Sequence, residues 1–285
     1  MKQLLFILVP FAFFACKNNQ DNRSSKTPSV KVLGATISIP KEKYGVEGFY
    51  TGPFEASKYK DGHPVMDNKI TICIDSLNNT SIYGHSIYAG NYRLFEGSYK
   101  KNGQDYAVTV KELGEHKTDG TFEFNIDNSQ QKIYGTWKAN DSSLSITVRN
   151  FKLEKRPYRY YVDYSLPDEI VGEPFYNSID DKTLKGEAIT DAVLKTKNPS
   201  ALLLAKEDVE NMYQGDLEVL RNTIYARHGY SFKNPRMRAL FDYVEWYMPV
   251  ATDVTSKLTP IEKKNITLIK AYEKHAEKYY DNFGR

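Results

Sequence analysis

Residues 220–232 read LRNTIYARHGYSF and bring together side chains that are able to do acid–base chemistry. His228 could act as a general base, and the guanidinium of Arg227 beside it could hold a carboxylate or a developing oxyanion. Tyr225 adds a phenol to the same segment. No serine, cysteine or paired carboxylate stands at a recognisable nucleophile spacing from these residues. The sequence therefore offers candidate catalytic groups, Tyr225, Arg227 and His228, without the nucleophile of a hydrolase.

A second interpretation treats the same segment as an internal scaffold. Leu220 and Ile224 follow a helical spacing that ends at His228, so the imidazole is expected to face a core. A buried imidazole or guanidinium must be hydrogen-bonded, because stranding one costs on the order of 1 to 3 kcal/mol. We favour this scaffold, in which four polar residues tie the helices together. They are Arg221, Asn222, His228 and Asn265.

Three helices are predicted to position these groups. Asp216 is placed to cap the first helix, and Gly229 stands where a left-handed residue ends it. A second, short helix is expected over 235–243. The third opens with Thr259 and Pro260, and Glu262 completes a capping box. Its buried face is predicted to carry Ile261, Asn265, Leu268, Tyr272 and Ala276.

This part of the chain resembles the YARHG domain, which is named for the pentapeptide that here spans residues 225–229. The resemblance covers 200–285 and extends well beyond the pentapeptide. The matching positions are Arg221, Asn222, Tyr225, Arg227, His228, Gly229, Trp246, Tyr247, Glu262 and Asn265. The resemblance implies an exported or envelope bacterial protein, since the family occurs there, sometimes beside enzymatic domains. It carries no established activity, catalytic residue or cofactor to transfer.

The composition is that of a folded protein without a nucleic-acid-binding face. Apolar residues make up 40% of the chain and charged residues 26%, both ordinary for a globular protein. The 39 basic and 36 acidic residues give a net charge of +3, and no block of like charges appears. Because binding to nucleic acid needs a concentrated basic surface, nucleic acid is excluded as an expected partner.

The first sixteen residues, MKQLLFILVPFAFFAC, have the parts of a secretory signal. The apolar run over 4–14 would rise about 16 Å as a helix, well short of a hydrocarbon core of about 30 Å. Cys16 directly follows a small residue and resembles the lipidated cysteine of bacterial lipoproteins. That resemblance implies cleavage before Cys16 and a lipid anchor in the membrane. The alternative is a plain signal peptide with an incidental cysteine.

The residues after Cys16 favour a surface-tethered protein. In the lipoprotein family an aspartate after the cysteine directs retention in the inner membrane, and Lys17 stands there instead, which favours the outer membrane. The segment that follows is polar and lacks apolar periodicity, so it is expected to be a flexible tether. We therefore divide the start of the chain into a signal peptide (1–15) and a lipidated tether (16–45).

Residues 46–165 are predicted to form an antiparallel β-domain. Apolar and polar residues alternate between turns that recur every eight to twelve residues, as at Asn102-Gly103. About eight strands of this kind form a barrel or a strongly curved sheet, and the segment YRYYVDY (158–164) is expected to be the last strand. A connector (166–199) then leads to the helical domain (200–285). The fold class is therefore α+β.

No cofactor and no metal site is expected from the sequence. The five histidines lack zinc-binding spacing, and Cys73 is the only cysteine besides Cys16. Cys73 lies in the strand pattern KITICID and is expected to be a small packing residue.

These observations favour an envelope-anchored binding or scaffold module with no evident catalytic activity. Its unknown ligand would be a protein, a glycan or a small molecule. Two alternatives stay open. One is an envelope hydrolase acting on peptide or glycan through the YARHG region, and the other is a carrier of a small apolar ligand inside a barrel.

Overall fold

In the computed structural model of this chain, the described residues are 45–62, 65–173 and 188–279. The predicted signal peptide, Cys16 and residues 17–44 of the tether lie outside these ranges.

Eight antiparallel strands close into a barrel, in which each strand pairs with its sequence neighbours and β1 pairs with β8. The α+β class and the strand number predicted from the alternation are confirmed, and the sheet is a closed barrel. The strands are β1 (Gly48–Tyr59), β2 (Asn68–Asn78), β3 (Ser81–Tyr88), β4 (Asn91–Asn102), β5 (Asp105–Glu112), β6 (Gly120–Asp127), β7 (Lys132–Ala139) and β8 (Ile146–Lys155).

The alternation along each strand separates an inner face from an outer face, because successive side chains of a strand point to opposite sides. In β6, Phe122, Phe124 and Ile126 are buried, whereas Glu123 and Asn125 between them are exposed. The predicted turn at Asn102-Gly103 joins β4 to β5, and Gly103 has a φ of +65° there. A two-residue turn of this shape requires a left-handed backbone that glycine adopts without strain.

Aromatic side chains fill the inside of the barrel. The ring of Phe54 lies 5.0 Å from that of Tyr88, 6.0 Å from that of Trp137 and 6.3 Å from that of Phe122, measured between centroids. These separations are typical of packed aromatic pairs. The interior positions of the described strands are therefore occupied by the protein's own side chains.

The predicted strand YRYYVDY is wrong. Strand β8 ends at Lys155, and residues 156–165, which we call the strap, form no strand pairing. The strap lies against the helical domain instead, where the Tyr158 hydroxyl donates to the carbonyl oxygen of Arg227 at 2.9 Å. Its alternating aromatic residues thus have a strand-like pattern but contact a neighbouring domain.

Four α-helices follow in the described residues. They are α1 (Ala192–Lys195), α2 (Gln214–Arg227), α3 (Pro235–Phe241) and α4 (Pro260–Tyr279). Helices α2 and α4 pack on each other, and Leu220 and Ile224 share one buried cluster with Ile266 and Ile269. Among the described residues, no helix combines the length and the apolar character needed to cross a bilayer.

Two details of the helices differ from the prediction. Helix α2 begins at Gln214, and Asp216 lies inside it, where its carboxylate accepts hydrogen bonds from the amide and hydroxyl of Thr190 at 2.8 and 2.6 Å. Asp216 is therefore not the N-cap residue; it ties α2 to the segment before α1 and also accepts from the backbone amide of Tyr213 at the helix start. In α4, Asn265 and Ala276 of the predicted face are buried and Leu268 and Tyr272 pack against the core, but Ile261 is 37% exposed and Glu262 is buried instead.

Candidate functional site

The end of α2 places His228 against the start of α4. Gly229 has a φ of +72°, so the helix ends in the left-handed conformation predicted for it. His228 is only 4% exposed, and its Nε2 lies 2.8 Å from Oε2 of Glu262. The ring of Tyr160, from the strap, stacks on the imidazole with 4.3 Å between centroids. The imidazole therefore faces a core, as the helical spacing predicts.

Glu262 is the centre of this cluster. It completes the predicted capping box, since the Thr259 amide donates to Oε2 at 2.8 Å and the Glu262 amide donates to the Thr259 hydroxyl at 3.2 Å. The Tyr160 hydroxyl donates to Oε1 at 3.1 Å. The carboxylate is fully buried, with donors on both oxygens. We call Glu262, His228, Tyr160 and Thr259 the carboxylate cluster.

Hydrogen bonding determines the charge of this carboxylate. Burial alone would raise the pKa of Glu262, but the hydrogen bonds from His228 and the Thr259 amide outweigh it and hold the pKa below its ordinary value. The start of α4 adds the positive end of a helix dipole. Glu262 is therefore an anion inside the helical domain at neutral pH.

The order of these groups differs from that of a hydrolytic triad. In a triad the imidazole lies between the acid and the nucleophile, so that it can take the proton of the nucleophile. Here the imidazole, the Tyr160 phenol and the Ser200 hydroxyl all converge on the carboxylate of Glu262. The arrangement stabilises an anion and presents no activated nucleophile.

Arg227 is engaged in the same region. Its Nε and Nη2 donate to the carbonyl oxygen of Tyr164 at 2.9 and 2.7 Å, and its Nη1 donates to the Ser200 hydroxyl at 3.0 Å. Burial lowers the pKa of Arg227 to about 10, so the side chain is still charged at neutral pH. Because Arg227 is only 5% exposed, its guanidinium binds the strap and is not available to hold the carboxylate of a substrate.

Tyr225, the third catalytic candidate, lies apart from the carboxylate cluster. It is half-buried and packs against the ring of Tyr230, with 6.0 Å between centroids. The structure thus brings Arg227 and His228 together under the strap but does not bring Tyr225 to them.

Other motif residues tie segments together. Arg221 joins α2 to α4, with its Nε 2.6 Å from Oε1 of Glu273. It also donates to the Asn222 side chain at 3.3 Å, and Asn222 donates to the carbonyl oxygen of Glu218 in its own helix at 2.9 Å. The tie predicted for Arg221 is therefore present, whereas the Asn222 side chain bonds within α2.

Asn265 fastens α4 to the loop that follows α1. Its Oδ1 accepts from the Leu204 amide at 2.9 Å, and its Nδ2 donates to the carbonyl oxygens of Pro199 and Leu202, both at 2.7 Å. The side chain is fully buried. A single amide thus satisfies three backbone groups that would otherwise be stranded.

The helical domain is also fastened to the outer face of the barrel. The Lys69 amide on β2 donates to Asp242 at 2.9 Å, and its ammonium donates to the carbonyl oxygens of Val244 and Tyr247 at 2.6 and 3.1 Å. Burial raises the pKa of Asp242 to about 6 and lowers that of Lys69 to about 8. Between about pH 6 and pH 8 both groups are therefore ionised, although their burial removes hydration from each charge.

The aromatic motif residues Trp246 and Tyr247 hold other segments of the chain in place. Tyr247 is buried, and its hydroxyl donates to the carbonyl oxygen of Tyr230 at 2.8 Å. The Trp246 indole stacks on the ring of Tyr164 with 5.0 Å between centroids, and its N–H donates to the carbonyl oxygen of Ser165. Tyr247 thus supports the chain after α2, and Trp246 holds the end of the strap.

Sequence reasoning missed the strap and Ser200 as partners of the motif. The tyrosines at 158, 160 and 164 are spaced like the residues of a strand, and this spacing does not indicate a contact with helices. In the structure Tyr158 contacts Arg227, Tyr160 contacts His228 and Tyr164 contacts Trp246. A usable signal was the density of tyrosines, since residues 158–164 hold four aromatic residues within seven positions, and such a run suits any half-buried surface.

A group of potential metal ligands lies elsewhere, on the outer face of the barrel. Cys73, Asp75 and His85 each present one ligand atom, and these atoms lie within 4.8 Å of one another. The sequence separates His85 from the other two by a turn, so no linear spacing pattern indicates the group.

Comparison with known families agrees with the helical part of the chain. Residues 194–274 match the YARHG domain, so the chain contains this domain, and the predicted resemblance is confirmed. No curated protein matches the chain.

Proposed function

We propose that this chain is a non-catalytic binding protein of the bacterial cell envelope, in which the YARHG domain braces the barrel and the outer face of the barrel meets the ligand. The carboxylate cluster carries the proposal. His228 and Arg227, the groups that a reaction at the motif would need, are buried and spend their hydrogen bonds on Glu262, Ser200 and the strap. A protein, a glycan or a small molecule remains the expected partner.

The brace is supported by contacts that reach from the helical domain to β2. Arg238 of α3 donates to the Asn68 side chain at 3.0 Å, beside the bonds of Lys69 to Asp242 and Tyr247. These bonds join charged groups to buried partners, and such bonds contribute about 1.5 to 3 kcal/mol each. The YARHG domain therefore fixes one side of the barrel and leaves the rest of its outer face for contacts.

The binding surface is assigned to the outer face because the interior is filled by side chains. Tyr92 and Leu94 on β4 are each 49% exposed, and Leu113 follows β5 with 47% exposure. The Leu113 amide donates to the carbonyl oxygen of Leu94 at 2.7 Å, so these two side chains belong to one patch. Exposed apolar side chains that adjoin one another are typical of interaction surfaces.

The role of the motif is tested by His228→Ala. If the motif is a scaffold, the variant loses about 3 to 5 kcal/mol of unfolding free energy, because Glu262 is left as a buried charge without its imidazole partner. The melting temperature then falls by several degrees or more in a thermal scan. The matched control is His275→Ala on the exposed face of α4, which should melt like the parent. A His228 variant that keeps the stability of the parent would instead support a functional site at the motif.

The anchor is proposed from the signal-like start and Cys16, and it has its own test. Bacteria expressing the full chain are given labelled palmitate, and we expect the label in the parent protein but not in Cys16→Ala. Cell fractionation should then move the variant from the membrane to the soluble fraction. Absence of label in the parent, or equal label in the variant, would overturn the anchor and leave the fold and the brace unaffected.

A further inference from the structure

Three side chains with different ligand chemistry lie together on the outer face of β2 and β3. Cys73 and Asp75 are two residues apart in β2, and Asp75 stands where the pairing register with β3 shifts between Ile74 and Ser76; its carboxylate lies beside the imidazole of His85. His85 of β3 stands directly opposite Cys73 in the antiparallel register. A thiol, a carboxylate and an imidazole are therefore held by two rigid strands and not by loops.

The distances between the three groups are close to those of a metal site. Nδ1 of His85 lies 2.9 Å from Oδ2 of Asp75, and all three candidate ligand atoms lie within 4.8 Å of one another. Around a tetrahedral zinc ion with normal bond lengths, ligand atoms are roughly 3.3 to 3.7 Å apart. Small side-chain rotations would gather the three atoms around one ion without movement of the strands.

The surroundings enclose this group on two sides and leave a third side open. The His85 imidazole stacks on the ring of Tyr92 with 4.7 Å between centroids, and the ring of Phe49 stands nearly perpendicular to it with 6.3 Å between centroids. Cys73 is buried, whereas the Asp75 side chain is 44% exposed. An ion could therefore enter beside Asp75 and keep a fourth coordination position open to solvent.

The charges also suit a dication of intermediate softness. A cysteine binds a metal ion as its thiolate, so a bound dication would displace the thiol proton of Cys73 into solvent and form a sulfur–metal bond. The resulting thiolate and the carboxylate would neutralise the two positive charges, and the neutral imidazole would complete the set. Thiolate together with imidazole favours zinc over magnesium or calcium.

We propose that Cys73, Asp75 and His85 form a zinc site on the outer face of the barrel, with the fourth position open to water or to an oxygen of a ligand. The site does not depend on the brace or on the anchor. Neither a palmitate result nor the stability of a His228 variant decides it.

The test uses cobalt(II) as a spectroscopic substitute for zinc, in the full chain carrying Cys16→Ser, in which Cys73 is the only thiol. We expect a saturable thiolate-to-cobalt charge-transfer absorption at one ion per chain, abolished by Cys73→Ser and displaced by zinc. His85→Asn and Asp75→Asn should each weaken the apparent affinity at least tenfold, as loss of a ligand contact commonly does. Zinc should also raise the melting temperature of the Cys16→Ser chain but not of the Cys73→Ser chain.

Two controls keep the result interpretable. Far-ultraviolet circular dichroism and melting without metal confirm that each variant is folded, and His275→Ala, remote on α4, should bind cobalt like its parent. The proposal is overturned if the Cys16→Ser chain gives no thiolate-to-cobalt absorption. It is equally overturned if that absorption persists unchanged in both the His85 and the Asp75 variants.

Discussion

Glu112 in the barrel and Glu262 in the helical domain are both buried carboxylates, but they differ in what surrounds them. Glu112 accepts hydrogen bonds from the Ser86 hydroxyl at 3.1 Å, the Gly120 amide at 2.7 Å and the Trp137 indole at 3.1 Å. All three donors are neutral. Glu262 accepts from the imidazole of His228 and lies at the start of a helix.

The pKa values of the two carboxyl groups respond in opposite directions. Burial raises the pKa of Glu112, and its three hydrogen bonds, together with the nearby Arg93 guanidinium, do not fully offset this effect. For Glu262, burial is outweighed by His228 and the Thr259 amide, so its pKa lies below the ordinary value. The barrel therefore holds the Glu112 carboxyl group among packed rings at a cost in hydration, whereas the helical domain surrounds the Glu262 anion with hydrogen-bond donors that stabilise its charge.

The largest expected effect comes from Glu262→Ala. The change leaves His228, Tyr160 and the Thr259 amide without their acceptor, and breaking a buried pair of this kind costs about 3 to 5 kcal/mol. Denaturant unfolding followed by circular dichroism measures this loss. Glu277→Ala, on the exposed face of the same helix, should stay within about 0.5 kcal/mol of the parent. If the two substitutions cost the same free energy of unfolding, the carboxylate cluster does not stabilise the helical domain.

A matched pair of isosteric substitutions separates the two carboxylates. At neutral pH, Glu262→Gln should cost about 1.5 to 3 kcal/mol, because it replaces charge-assisted hydrogen bonds by neutral ones. Glu112→Gln should leave the protein no less stable than the parent, because an amide can accept from Gly120 and Trp137 and donate to Ser86. If Glu112→Gln lowers the free energy of unfolding as much as Glu262→Gln does, the conclusion that only the helical domain depends on a buried anion is wrong.

The same pair differs in its dependence on pH. The folded pKa of Glu262 lies below its ordinary value of 4.5, so its stabilisation is present above about pH 4.5 and is lost as the pH falls through the folded pKa. The folded pKa of Glu112 lies above 4.5, so its protonated form favours folding at low pH, and that advantage is lost as the pH rises. Unfolding curves between pH 3 and 7 should therefore show the Glu262→Gln deficit shrinking toward acid.

The smallest expected effects come from Ile126→Val in the barrel and Ile269→Val in α4. Both side chains are fully buried in apolar clusters, and removal of one methyl group typically costs about 0.5 to 1.5 kcal/mol. Thermal and denaturant unfolding should give similar losses for the two variants. A much larger loss at Ile269 would mean that apolar packing, and not the anion, distinguishes the helical domain.

Local patterns in the sequence were sufficient for much of this architecture. Alternation and turn residues predicted the strands, since each barrel strand pairs with its neighbours in the chain. Gly229 and the capping box of Thr259 and Glu262 were also readable, because a helix end is decided by a few adjacent residues. The burial of His228 followed from its spacing to Ile224.

Features that depend on distant partners could not be read in this way. The strap was mistaken for a strand because alternating tyrosines suit either a sheet or the surface of another domain. Asp216 was mistaken for a cap because its partner, Thr190, comes from a different segment. The approach of His85 to Cys73 depends on the register of β2 against β3, and no spacing rule gives that register.

The strap also changes what should be regarded as the folding unit. The stretch that matches the YARHG family starts at residue 194, yet Tyr160 covers the His228 imidazole and the Tyr164 carbonyl holds Arg227 from well upstream of that boundary. A fragment excised at the family boundary would therefore leave its namesake arginine and histidine without their natural cover. The unit that folds together therefore includes the strap, residues 156–165, as well as the stretch that matches the family.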